Sequence, residues 1–276
     1  MSDTDTTTDK IKVTILPTGT MHADLTWLLI DPSRMATRQQ PDKQRDWVEV
    51  PTHVVYVEHP NGQKLMWDAG VPRDWETRWA PSGLGQFFPV DAATEDDWLD
   101  SRLRQLKIEP NDIDYLVLSH LHLDHAANAK FWEKADTTII VDAAEKEGAF
   151  SFDGHNRGAH IKSDYDTLEL DTITEDTELL PGVTLLRTPG HTWGTMSLQV
   201  DLADAGTMIF ASDSLYLKES FGPPPIAAGI VHDTVAWFDS VDKIRAIQER
   251  TDATVVFGHD ANQIRELRTG PGNYYT

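Results

Sequence analysis

The sequence predicts a single domain of the α+β class, in which short apolar strands end in polar residues gathered at one edge of a sheet or sheet pair. Three observations predict it. An apolar run, Tyr115-Leu116-Val117-Leu118, leads directly into Ser119-His120-Leu121-His122-Leu123-Asp124-His125. The same device recurs where 183–187 runs through Thr188-Pro189-Gly190 into His191, where 208–211 runs through Ser212 into Asp213, and where 255–257 runs through Gly258 into His259. Other segments space their apolar residues three and four apart, which is the helical period.

Taken in order, residues 12–16 read as a strand that ends at the turn Pro17-Thr18-Gly19. Met21 to Asp46 is a long excursion, and long loops in compact domains are usually functional. Two strands, 53–58 and 64–67, are joined by His59-Pro60-Asn61-Gly62, and the second delivers Asp68-Ala69-Gly70. The aromatic and glycine-rich stretch from Trp75 to Val90 lacks a period, which fits a pocket cover and a packed surface loop equally. Thr94-x-x-Asp97 has the form of a capping box, followed by Leu99, Leu103 and Leu106 on one helical face. After His125 the small residues Ala126, Ala127 and Ala129 suggest a helix running past Trp132. A strand over 138–141 and a helix over 142–150 come next, then an irregular stretch to Asp164 whose His155 and His160 are expected at the surface. Asp233 reads as the N-cap of a helix with Trp237, Val241 and Ile244 on its buried side.

Composition narrows the function. With 39% hydrophobic and 25% charged residues, 276 residues can bury one large core. A net charge of −21 and the lack of a basic stripe exclude a phosphate backbone as partner, so no nucleic acid is expected. There are no cysteines, which removes disulfides, thiolate ligands and a cysteine nucleophile. No stretch approaches the roughly 18 to 20 apolar residues of a membrane span, so no membrane partner is expected and the cytoplasm is the default location. Met1–Lys10 is polar, without an apolar leader segment, and is expected as a disordered tail preceding a domain over 11–276.

Three imidazoles and a carboxylate within six positions call for a metal. Buried without one, they would need many hydrogen-bond partners to offset their desolvation. In extended chain, residues two apart share a face, so His120 and His122 can hold one ion. Asp124 and His125, past the turn, suit a second. Imidazole and carboxylate together are ligands for zinc, iron, manganese or cobalt.

The ordered set His120-x-His122-x-Asp124-His125, His191, Asp213 and His259, with Asp68-x-Gly70 before it, resembles the metallo-β-lactamase superfamily from about Asp68 to His259. The resemblance implies an αββα sandwich with two divalent ions at one edge of the sheets, zinc being the first expectation. It implies His120, His122 and His191 for one ion, Asp124, His125 and His259 for the other, Asp213 bridging them, and Asp68 orienting a ligand histidine from behind.

Within the superfamily, Ser212 to Glu219 resembles the N-acyl-homoserine lactonases, in which a tyrosine three residues after the bridging aspartate reaches the substrate carbonyl; here that residue is Tyr216. The implied function is opening of a small-molecule lactone by a hydroxide bridging the two ions, with Asp124 and Tyr216 as catalytic residues. A pyridoxolactonase, a glyoxalase II-type thioester hydrolase and a metal-binding sensor without turnover stand as alternatives, although no convincing basic set for glutathione is present. A homodimer is left open. Two stretches, Met21–Asp46 and Trp75–Phe88, depart from the family pattern and are expected to shape the pocket.

Overall fold

Period-two alternation along the strands sorts the apolar side chains into layers, and the layers fix the architecture. The computed structural model describes residues 10–151 and 156–276. Its strands are β1 (Lys12–Asp24), β2 (Trp47–Glu58), β3 (Lys64–Trp67), β4 (Tyr115–Val117), β5 (Thr138–Asp142), β6 (Asn156–Arg157) and β7 (His160–Ile161). They continue as β8 (Leu170–Ile173), β9 (Thr177–Leu180), β10 (Val183–Arg187), β11 (Met196–Leu202), β12 (Gly206–Phe210) and β13 (Thr254–Val256). The helices are α1 (Trp75–Trp79), α2 (Leu99–Leu106), α3 (Ala143–Phe150), α4 (Lys218–Phe221), α5 (Thr234–Thr251) and α6 (Ala261–Glu266).

One sheet has the order β1-β2-β3-β4-β5-β8 and the other β13-β12-β11-β10-β9. In β2, Val55 and Val57 point between the sheets, where they meet Leu185, Leu198, Phe210 and Val256 of the second sheet. Their neighbours Val54 and Tyr56 point outward to Leu99 and Leu103 of α2 and to Trp132. On the far side Ile209 and Val255 pack under Trp237, Val241 and Ile244 of α5. Helices therefore cover both outer faces, which is the αββα sandwich expected from the resemblance. Among the described residues no helix is long and apolar enough to cross a membrane.

Several boundaries moved, each for a local reason. β1 does not stop at Pro17 but continues to Asp24, with a register shift between Pro17 and Thr20. A bulge absorbs the missing proline N–H there, Gly19 takes φ +104°, and the Thr52 hydroxyl donates to the Gly19 carbonyl at 3.1 Å. The capping-box residues Thr94 and Asp97 close only a 3₁₀ turn, because Trp98 is extended and α2 starts after it. The α-helix expected directly after His125 does not form. Instead Asn128 donates its amide hydrogens to the carbonyls of Ala69 (2.8 Å) and Val71 (2.9 Å), tying the segment to the Asp68 turn and leaving a single 3₁₀ turn over Ala129–Trp132. The expected tail lies outside the described residues except for Lys10, which pairs with Asp204 at 2.9 Å. His155 also lies outside them.

The two unusual segments form one wall. The backbone N–H of Thr20 and that of His22 donate to the carbonyls of Ala92 and Pro89 (2.9 and 3.0 Å), and Trp27 packs on Phe88 with ring centroids 5.6 Å apart. Together with Met21, Leu28, Val50, Trp79 and Val90 they make an apolar cluster that reaches Leu123 and Tyr216.

The cap of α5 can be tested alone. Asp233 accepts from the N–H groups of Val235 (2.9 Å) and Ala236 (3.0 Å). Asp233→Ala should lower the stability measured by denaturant unfolding by about 1 kcal/mol; an unchanged midpoint would contradict the capping role.

Candidate metal centre

Five strand ends converge on one edge of the sandwich. β4 runs into His120, β10 into His191, β12 into Asp213 and β13 into His259, while β3 delivers Asp68. All of these side chains are buried, as are His122, Asp124 and His125. The turns that aim them are tight. Asp68 and Ser212 hold left-handed backbone conformations (φ +63° and +47°), which cost a non-glycine residue about 1–2 kcal/mol. At Gly190 (φ +132°) a Cβ would come within 2.4 Å of the Trp237 backbone, so only glycine lets α5 approach the turn before His191.

Ligand atoms of His120, His122, His191 and Asp213 lie within 4.8 Å of one another, and those of Asp124, His125 and His259 form a second such group. Asp213 stands between them. Its Oδ2 lies 3.2 Å from His191 Nε2 and 3.6 Å from His120 Nε2, and its Oδ1 lies 3.0 Å from His259 Nε2 and 3.1 Å from His125 Nε2. Asp124 Oδ2 lies 3.4 Å from His125 Nε2 and 3.6 Å from His259 Nε2. His122 turns its Nδ1 inward, 2.9 Å from His191 Nε2.

The outer ring nitrogens fix the tautomers. Nδ1 of His259 donates to the Pro51 carbonyl (3.0 Å), Nδ1 of His191 to the Ile230 carbonyl (2.9 Å) and Nδ1 of His125 to Asp68 Oδ2 (2.8 Å). In the neutral rings the inner nitrogens therefore carry lone pairs, aimed at a carboxylate that also offers only lone pairs. The Nε2 atoms of His120 and His125 are buried without a hydrogen-bond partner. A divalent cation resolves both conflicts, and an all-nitrogen and oxygen donor set suits it.

The titration behaviour follows the same charge pattern. Burial, with the neighbouring rings, holds His120 and His122 well below the usual imidazole range and so neutral. Burial also disfavours charge on His125, but Asp124, Asp213 and Asp68 override it and raise this ring well above its usual range. Burial would raise Asp213, yet His125, His259 and His191 hold it well below. The pocket is rich in anionic field and takes protons where it has no cation.

Behind these groups lies a network that sequence reasoning reached only at Asp68. Ser119 N–H and Oγ donate to the two oxygens of Asp68 (2.7 and 2.9 Å), while Ser119 Oγ also meets His120 Nδ1 (3.0 Å) and accepts from Ser212 Oγ (2.9 Å). His160 is a correction: expected at the surface, it is buried, its ring centroid 4.4 Å from that of His122. Backbone pairing of His160 with His122 carries it there, a contact no sequence spacing announces. Its Nε2 donates to the fully buried Glu145 (2.9 Å), another residue that sequence reasoning missed. Burial would raise Glu145, but the hydrogen bond from His160 and its other donors bring it below the usual carboxylate range.

Tyr216 stacks on His259 (centroids 5.2 Å apart, planes at 26°), with its hydroxyl 3.4 Å from His191 Nδ1. Burial and the carboxylates of Asp213 and Asp124 raise this phenol well above its usual range, so it stays protonated. A cavity opens here between Asp124, Asp213, Tyr216 and His259 on one side and the apolar Met21, Trp27, Leu28, Val50 and Phe88 on the other.

Residues 47–259 match the family model of the metallo-beta-lactamase superfamily. The chain is 31% identical over 277 residues to the N-acyl homoserine lactonase AiiB of Rhizobium rhizogenes, covering 96% of this chain and 99% of the relative. It is 32% identical to N-acyl homoserine lactonase AiiA of Bacillus thuringiensis subsp. kurstaki, over 68% of this chain and 71% of that one. Among solved structures it is similar to a homoserine lactone hydrolase with N-hexanoyl-L-homoserine bound at the catalytic metal center, at a TM-score of 0.80 and 25% identity, covering 96% of this chain and 98% of the other. A B. thuringiensis AiiA variant with N-decanoyl-L-homoserine at its active site matches with the same score, identity and coverage.

Adding a divalent ion to metal-stripped protein should raise the unfolding midpoint in a thermal scan. At 100 times the dissociation constant the gain is about 2.7 kcal/mol, and no shift with zinc, manganese or cobalt would contradict a metal centre.

Proposed function

Because this chain belongs to the metallo-β-lactamase superfamily, we propose that its centre holds two divalent ions, zinc being the best match to the donors, and that it hydrolyses N-acyl-homoserine lactones. The activity is that of the quorum-quenching lactonases, a metal-dependent opening of the lactone ring. The observation that carries the site assignment is Asp213, with one oxygen toward the rings of His120 and His191 and the other toward those of His125 and His259. His122 completes the first set and Asp124 the second. Two ions held there would bring the pKa of a shared water toward neutrality and polarise the ester carbonyl.

The chain's own groups account for the rest. The apolar wall of Met21, Trp27, Leu28, Val50 and Phe88 receives a substrate with an alkyl substituent and keeps bulk water from the reacting carbonyl. Tyr216, held protonated by its surroundings, donates from its hydroxyl to the oxygen that gains negative charge as water adds to the carbonyl carbon. As the ring C–O bond breaks, the alkoxide needs a proton. Asp124, beside His125 and His259 and lining the cavity, takes the proton from the attacking water and delivers it to that oxygen. The product is an N-acyl-homoserine, in which a hydroxyl and a carboxyl group replace the ester, the carboxyl losing the second proton of the water to solvent.

Hydrolysis of a series of homoserine lactones, with S-lactoylglutathione as control, tests the substrate class. The lactones should turn over and the thioester should not; the reverse would favour a thioester hydrolase. Tyr216→Phe should keep its metal content and lose roughly 10- to 1000-fold in kcat, whereas Asp213→Ala should lose metal and activity together. An unchanged rate in Tyr216→Phe would remove the role given to the phenol.

A further inference from the structure

Glu145, in the first turn of α3, is a fully buried carboxylate that the chemistry above does not use. Taking such a group out of water costs several kcal/mol unless donors surround it, and an apolar residue would serve helix packing as well. Its donors show what it joins. Oε1 accepts from the Leu121 N–H at 3.0 Å, the peptide group between His120 and His122, and from His160 Nε2 at 2.9 Å. Oε2 accepts from the Gly194 N–H at 3.3 Å, three residues beyond His191. One carboxylate thus spans the two loops that carry all three histidines of the first set. At Gly194 a Cβ would lie 2.6 Å from the Glu145 N–H nitrogen and 2.3 Å from Asp142 Oδ1, so the loop reaches α3 only as glycine. His160 adds the third side: its backbone pairs with His122, and its ring meets the His122 ring edge to face at 73°.

We propose that Glu145, with His160, is the positioning residue of the first ion, fixing the loops of His120, His122 and His191 as Asp68 fixes His125 for the second. The division of labour is the new element. Asp68 bonds His125 of the second set directly and touches the first set only through Ser119, beside His120, whereas Glu145 joins the two loops of the first set and reaches His122 through His160. The inference rests on the two-ion reading given above.

The test is a zinc titration against a competing chelator. Glu145→Gln preserves shape, but its amide leaves either the Gly194 N–H or the pair Leu121 N–H and His160 facing another donor. The variant should bind one equivalent normally and the other roughly 10- to 100-fold more weakly. Two backgrounds locate the loss. In His259→Ala, which keeps the first set whole, Glu145→Gln should still weaken the remaining ion; in His191→Ala, which keeps the second, it should change nothing. His160→Ala should follow Glu145→Gln in both backgrounds, and His160→Gln, whose amide can donate to Glu145, should restore most of the affinity. The histidine pair carries the test if Glu145→Gln does not fold. Equal losses in both backgrounds, or none, would overturn the proposal while leaving the two-ion reading intact. A wild-type protein binding fewer than two equivalents would overturn both.

Discussion

Three imidazoles whose outer N–H groups donate to Pro51, Ile230 and Asp68 point, in their neutral form, lone pairs at the carboxylate of Asp213. That arrangement cannot be stable in a buried site unless positive charge sits between the partners. Everything else at this edge of the molecule follows from it. The carboxyl oxygens divide between two groups of rings, Asp124 adds its charge to one of them, and Tyr216 is kept in its neutral, donating form by the same anions.

The sandwich supplies what this arrangement needs in rigidity. Strands β3, β4, β12 and β13 are held between two apolar layers, so the residues at their ends inherit positions set by the core. The left-handed turns at Asp68 and Ser212 store local strain where the chain leaves the sheet, and the surrounding network of Ser119, Asp68 and Ser212 holds them in place. Over this rigid floor the segments around Trp27 and Phe88 form an apolar cover drawn from two distant parts of the chain. The metal-ligand candidates stand on the floor, and the apolar cover lines the cavity above them.

Much of this was legible in the residues because the chemistry demands local density. Four ligand-type residues within six positions, and apolar strands ending in His191, Asp213 and His259, announce themselves without coordinates. The family resemblance supplied the layering and the role of Asp68. Other features depend on contacts that the chain order hides. His160 read as a surface residue because nothing near it in sequence suggests a ligand, yet strand pairing sets it against His122. Glu145 looked like any helix glutamate, and only the folded loops show its donors. The missing helix after His125 reflects Asn128, whose side chain bonds to backbone 57 and 59 residues away instead of leaving the helix period undisturbed. Local propensity lost there to a long-range polar contact, as it did at Pro17, where a bulge carried β1 past its expected end.

The claim at the centre is that seven side chains cage two cations. Anomalous X-ray scattering from a crystal of the metal-loaded protein, recorded at the metal's absorption edge, tests it most directly. The account predicts two peaks, one among His120, His122 and His191 and one among Asp124, His125 and His259, with Asp213 touching both. A single peak, or peaks away from Asp213, would contradict it.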